Sequence, residues 1–361
     1  MKKWSNIFLL FVSALLTLCA AELVVRLATG GSAKLPSKPA GWAIIPEESW
    51  MEYHPTLGWF SRKNRTSKLI KNSLEIPIHT EKSGARGSRD YDLSKPPRIK
   101  RITAFGDSFT FGFGVRDDET FPAQLEKKMP GTEVLNFGVP EYGVDQIVLA
   151  AQEMAPSYGS DTVLVTLYPE DFWRATRSFN DAGHGKPYFT LASGGKLELH
   201  QVPVPEGKHF SVEQFPVVIL KNPVQKVLNA SRLFSLGERA LGRIEKKIGL
   251  EDPDTTVEWR LGREILKRLI VFGHEHRLRI IFVLAPPVRW ILGTDEPVRQ
   301  SLAAFSKREK VEFVDLTPVF LEAVKKNAAA DFYIPEDQHW TARGNSLAAD
   351  TLTDYFKKHP L

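Results

Sequence analysis

The chain has 361 residues, 42% of them hydrophobic and 25% charged, the proportions of a globular protein with a sizeable core. Its net charge of +5 is not gathered in one basic block, and no Lys/Arg stripe alternates with aromatics, so nucleic acid is not an expected partner. The single cysteine, Cys19, leaves the chain beyond it without an internal disulfide or a thiolate metal site.

Residues 1–28 read as a signal-anchor or a signal peptide. Lys2 and Lys3 precede an uninterrupted apolar run from Ile7 to Ala21, and small residues stand at Cys19 and Ala21. Counted from Trp4 to Ala28, the stretch is long enough to cross a bilayer uncleaved, which takes about 20 residues. We expect the anchor, with Lys2 and Lys3 inside and the remainder outside the cytoplasm. The protein is then membrane-anchored and extracytoplasmic, in the periplasm or at the cell surface.

Residues 29–98 are rich in Gly, Pro, Ser and Lys and read as a tether followed by an irregular extension. A few short strands are expected there, such as "LEIPIHT" at 74–80. From residue 99 to 361 the pattern changes. "RITAFGD", "EVLNFG", "DTVLVTLY", "RIIFVLAP" and "VEFVDL" are short, β-branched apolar runs of the kind that form strands covered on both faces. Helical patterns lie between them. Asp118 or Thr120 can cap a helix with Pro122 in its first turn. Leu261, Ile265, Leu269 and Phe272 share one helical face, and a last helix opens at Thr341 with Ala348, Leu352 and Tyr355 on one side. The alternation predicts an α/β fold, a parallel sheet with helices on both faces. An insertion at about 172–250 interrupts it. A hairpin of Tyr188–Leu191 and Leu197–Val202 turns at Gly194-Gly195, and an amphipathic helix is expected around Ser231–Ile248.

In open α/β sheets, ligands bind beyond the carboxyl ends of the strands. Four polar clusters fall there: Gly106-Asp107-Ser108, Asn136–Gly143 ("NFGVPEYG"), Tyr168–Arg174 ("YPEDFWR") and Pro335–Trp340 ("PEDQHW"). A serine on a strand-to-helix turn is exposed, near the positive end of a helix dipole. A histidine with a carboxylate just before it can act as an oriented base. Ser108, Asp337 and His339 therefore make a candidate nucleophile, orienter and base. The bland readings are a helix-capping Ser108, a satisfied His339 at a helix start, a solvated Glu170-Asp171 pair, and surface charge for Arg174 and Arg177. The aromatics of "FTFGF" read as core.

"GDSFTFG" at 106–112, followed far downstream by "DQHWTARGN" at 337–345, resembles the SGNH (GDSL-type) hydrolase superfamily over residues 98–356. "HPTLGWF" and "HTEKSGARG" also look like segments that precede the domain in membrane-anchored members. The resemblance implies a three-layer α/β/α, flavodoxin-like parallel sheet. It makes Ser108 the nucleophile, His339 the base and Asp337 its partner. The family often spaces acid and base as D-x-x-H, which would give that role to Glu336. Asp337 is preferred, because a D-x-H spacing also occurs among relatives acting on polysaccharides.

The middle blocks depart from the family's pattern. The second block's oxyanion-hole glycine is replaced by Glu141, whose backbone N–H survives the change. The third block, normally Gly-x-Asn-Asp, reads Tyr168-Pro169-Glu170-Asp171. Glu170 thus stands where an Asn side chain would donate to the oxyanion, and an ionised Glu can only accept. Losing one such donor costs about 10²–10³ in rate.

The expected function is that of an exported esterase removing O-acyl groups, with acetyl the first choice, from a cell-envelope glycan or other small ester. It proceeds through an acyl-enzyme on Ser108, with the backbone N–H groups of Ser108 and Glu141 binding the oxyanion. No metal or organic cofactor is expected. The alternatives are an O-acyltransferase on an envelope polysaccharide and a catalytically silent glycan-binding or assembly protein.

Overall fold

The computed structural model describes residues 49–71, 74–180, 183–192, 195–206, 256–292, 297–335 and 337–361. The expected membrane segment, the first part of the tether, the helix expected at Ser231–Ile248, and Glu336 all lie outside these residues. Among the described residues no helix is long and apolar enough to cross a membrane.

Residues 51–80 form two antiparallel hairpins. In the first, β1 (Met51–His54) pairs with β2 (Gly58–Ser61); in the second, β3 (Arg65–Lys71) pairs with β4 (Leu74–Thr80). Alternation puts Leu69, Ile76 and Ile78 on one buried face of the second hairpin, where they cluster with Trp50 and Phe111. Leu57, Trp59, Phe60, Ala85 and Tyr91 join the main core. Residues from 50 to 91 of the N-terminal extension are thus packed against the domain that follows.

The five β-branched runs are strands: β5 (Lys100–Gly106), β6 (Thr132–Gly138), β7 (Thr162–Leu167), β10 (Arg279–Leu284) and β11 (Glu312–Asp315). They pair in parallel in the order β11-β10-β7-β5-β6. Counted along the chain this is the flavodoxin-like order 2-1-3-4-5, which reverses direction between β5 and β7 and opens a crevice at the carboxyl ends of those strands. The insertion contributes β8 (Tyr188–Leu191) and β9 (Leu197–His200), an antiparallel pair where the sequence expects its hairpin.

The helices follow in chain order. Before the insertion come α1 (Ser108–Phe111), α2 (Phe121–Lys128), α3 (Val144–Met154) and α4 (Pro169–Arg174). After it come α5 (Val257–His276), α6 (Val288–Ile291), α7 (Pro297–Glu309), α8 (Thr317–Lys326) and α9 (Ala342–Lys358). Thr120 caps α2 by accepting from the Ala123 N–H, and Thr341 caps α9 by accepting from the Gly344 N–H. Successive strand residues point to opposite faces, and the core divides accordingly. Phe105, Phe137, Val163, Val165 and Phe282 pack with α3 and with Leu261, Ile265 and Leu269 of α5. Ile102, Ala104, Val134, Leu164 and Ile281 pack with α2, α8 and with Ala348 and Leu352 of α9. Helices therefore cover both faces, giving the three layers expected.

Candidate active site

The carboxyl end of β5 delivers Ser108. Two glycines let α1 dock tightly over the sheet. A Cβ on Gly106 would lie 2.1 Å from Thr110 Oγ1, and one on Gly138 would lie 2.2 Å from the Phe111 backbone nitrogen. Asp107 is the N-cap and accepts from the Phe109 N–H at 2.9 Å. Ser108 is the first helical residue, so its own N–H has no acceptor within the helix. The other end of α1 is held from the N-terminal extension. The buried Arg86 guanidinium donates to the carbonyls of Phe111 (2.8 Å), Gly112 and Val115, pairs with Asp117 at 2.9 Å, and stacks over the Phe111 ring.

His339 reaches this turn from the loop before α9. Its Nε2 lies 2.8 Å from Ser108 Oγ, and its Nδ1 bonds the Asp337 carboxylate. With Nδ1–H donated to Asp337, Nε2 is left to accept the Ser108 hydroxyl. Asp337 also accepts the His339 backbone N–H at 3.3 Å. The D-x-H spacing closes because Gln338 sits in the left-handed region, at φ 72°. The rings of Phe109 and Phe113 flank the imidazole, with centroids 5.2 and 5.0 Å away. Ser108 and the Asp337–His339 pair, more than two hundred residues apart, thus form one continuous relay. Ser108 is 7% exposed, so the docking of α1 over the sheet buries the serine that the sequence reading expects exposed.

Glu141 lies in the loop after β6, in the left-handed region at φ 68°. Glycine takes this conformation freely, and for other residues it costs about 1–3 kcal/mol. Asn180 of the insertion donates to the Glu141 carboxylate at 2.9 Å. The insertion is anchored nearby by a buried pair, Lys186 with Asp145, and Lys186 also donates to the carbonyls of Arg174 (3.3 Å) and Arg177 (3.1 Å). Burial pushes the Lys186 ammonium down and the Asp145 carboxyl up, and their mutual attraction opposes both shifts.

Glu170 occupies the first turn of α4 and is half-exposed. Its carboxylate lies 3.6 Å from Arg174 Nη2 and 3.6 Å from Arg289 Nη1. The reading of Glu170 and Asp171 as a solvated pair therefore fails for Asp171, which is fully buried. Asp171 accepts the Tyr168 N–H at 2.8 Å and pairs with Arg174 at 2.7 Å. Burial pushes the Asp171 carboxyl well up, and the neighbouring Asp107 pushes the same way.

Arg174, read from sequence as a surface charge, is the hub of the site. One terminal nitrogen, Nη1, reaches Asp107 (3.0 Å), Asp171 (2.7 Å) and the Tyr142 carbonyl (3.3 Å). Burial works against its charge, but Asp171, Asp107 and Glu170 hold the guanidinium above its ordinary pKa. It ties the Ser108 turn, the loop of Glu141 and α4 together. The sequence offers no local signal for this, since Arg174 and Asp107 stand 67 residues apart. Arg177 is also buried, its guanidinium 4.5 Å over the Trp173 ring.

No protein-family model matches the chain, and no curated protein matches it. Solved structures similar to it include a member of the lipolytic protein G-D-S-L family from Veillonella parvula, at 14% identity and a TM-score of 0.41, covering 72% of this chain and 100% of that one. A lipase/acylhydrolase from Enterococcus faecalis is similar at 12% identity and a TM-score of 0.38, covering 72% and 97%. An acetyl xylan esterase is similar at 12% identity and a TM-score of 0.40, covering 71% and 98%. These are likenesses in outline, and the chemistry of the site rests on the residues of this chain.

Proposed function

We propose that the chain is an SGNH-type serine esterase that removes O-acyl groups, acetyl first among them, from a cell-envelope glycan. The observation that carries this reading is the relay from Ser108 Oγ through His339 to Asp337 at the carboxyl end of β5. Ser108 attacks the ester carbonyl while His339 Nε2 takes its proton. Asp337 stabilises the imidazolium and fixes its orientation. The backbone N–H groups of Ser108 and Glu141 bind the tetrahedral oxyanion. His339 then protonates the leaving alkoxide, and water, activated the same way, releases the acyl group from Ser108.

The glycan is supported by Trp173, a residue 47% exposed on α4 one helical turn from Glu170, with the Arg177 guanidinium over its ring. An aromatic face of this kind suits the apolar face of a sugar ring. Residues 1–28 support export and membrane anchoring. The test is acetate release from an O-acetylated polysaccharide. The full chain should release it and Ser108→Ala should not; equal release by both would refute the reading.

One observation favours a second reading. The Glu170 carboxylate, half-exposed at the position where an amide donor is expected, can accept a hydrogen bond from a sugar hydroxyl. In an O-acyltransferase that hydroxyl would replace water in the second step. Adding unacylated glycan to the pre-formed acyl-enzyme separates the two: faster loss of the acyl group with acyl-glycan as product indicates transfer.

A further inference from the structure

The loop after β6 carries a residue its backbone conformation disfavours. Glu141 holds φ at 68°, where a residue with a Cβ stands only if its surroundings over-determine it. The loop is a β-turn closed by the Tyr142 N–H donating to the Val139 carbonyl at 3.3 Å, with Pro140 and Glu141 in its central positions, and three side chains from distant segments also act on it. The Trp59 indole N–H donates to the Pro140 carbonyl at 3.1 Å, and Arg174 donates to the Tyr142 carbonyl at 3.3 Å. These brace the peptides on either side. The third acts on the strained residue itself, where Asn180 Nδ2 donates to Glu141 Oε2 at 2.9 Å.

The Asn180 amide is oriented for this contact. Its Oδ1 accepts the His184 N–H at 2.9 Å, and its backbone N–H donates to the His184 carbonyl at 2.9 Å. A bridge between Phe179 and Gly185 closes the turn, and Lys186, one residue on, is buried against Asp145. With Oδ1 engaged, the amide presents its Nδ2 to Glu141.

We propose that Asn180 is a positioning residue for ester cleavage: by holding the Glu141 carboxylate it keeps residue 141 in the left-handed region and aims the 141 N–H at the oxyanion. This rests on the esterase reading, with that N–H as a donor. The insertion then does by a side-chain tether what a glycine would do by its own backbone freedom. A tether of this kind matters only while residue 141 carries a side chain.

The test is a double-mutant cycle on p-nitrophenyl acetate hydrolysis. Asn180→Ala should lower kcat roughly 10-fold with little change in KM, short of the ~10²–10³ expected when a donor is removed outright. Asn180→Asp, which keeps the volume but sets a carboxylate against Glu141, should lose at least as much. In a Glu141→Gly background, Asn180→Ala should cost less than about 2-fold relative to Glu141→Gly alone, because the two effects share one contact. Equal losses in both backgrounds would make Asn180 a merely structural residue and overturn the proposal, as would an unchanged kcat in Asn180→Ala. Hydrolysis by the unaltered chain that does not depend on Ser108 would instead bring down the esterase reading, and the proposal with it.

Discussion

Replacing Arg174 by Met is the sharpest perturbation of the site's framework. Met keeps much of the aliphatic volume and removes the guanidinium. It leaves Asp171, fully buried, and Asp107, almost so, without their shared cation. Removing one partner of a buried ion pair costs about 3–5 kcal/mol. For a domain of this size that is a fall in Tm of roughly 6–20 °C. The pH dependence gives a second handle. Burial already raises the Asp171 carboxyl above its unfolded value, so the folded state holds that proton more firmly than the unfolded state. The resulting contribution to stability is full below the unfolded carboxylate range and is lost as pH rises through the folded pKa. Without Arg174, which pulls that pKa down, the folded value climbs further. The deficit of Arg174→Met should therefore grow as pH rises and shrink as pH falls. Loss of the Arg174 bonds to Asp107 and the Tyr142 carbonyl should also cost about 10² in ester hydrolysis through misplacement. Thermal melts across pH, with p-nitrophenyl acetate turnover beside them, make the test. A variant that melts with the wild type at every pH would refute the reasoning.

Asp337→Asn should lower kcat by about 10⁴, because a wrong imidazole tautomer idles the base, whereas Glu336→Gln should cost far less; steady-state kinetics with the reverse ranking would move the acid to Glu336. Gly138→Ala sets a Cβ 2.2 Å from the Phe111 nitrogen, a backbone atom that cannot swing aside. It should push α1 off the sheet and abolish Ser108 reactivity in a chain that is still folded by circular dichroism; unchanged reactivity would contradict the tight docking. Glu170→Asn frees Arg174 and Arg289 from a carboxylate and supplies an amide donor, so it should speed p-nitrophenyl acetate hydrolysis ~10-fold or more, one donor being worth about 2.7–4 kcal/mol. A slower variant would mean that the carboxylate serves an acceptor hydroxyl.

Much of the fold was legible in the sequence because its signals are local. The five parallel strands are short runs with both faces apolar, and Thr120 and Thr341 announce their helices by capping. Asp337, Ser108 and His339 were legible as candidates by type and spacing, and the left-handed Gln338 explains physically how Asp337 reaches His339 across one intervening residue. What stayed hidden depends on contacts between distant segments. The strand at 74–80 was legible, but its partner Arg65–Lys71 and the docking of Leu69, Ile76 and Ile78 on Trp50 and Phe111 were not, and nothing near Arg86 reveals that it clamps the far end of α1. Arg174 reads as surface charge because its partners Asp107 and Tyr142 come from other strands' loops. The departure at Glu141 was visible as a residue change, but the left-handed backbone beneath it was not.

The central claim is that Ser108 is a nucleophile activated by His339. Labelling the folded full chain with a fluorophosphonate probe and locating the adduct by peptide mass tests it most directly. One adduct on Ser108 is predicted, absent in Ser108→Ala and at least ~10²-fold slower in His339→Ala, which lacks the base. A folded chain that takes no label at Ser108, or takes it equally fast without His339, would contradict the account.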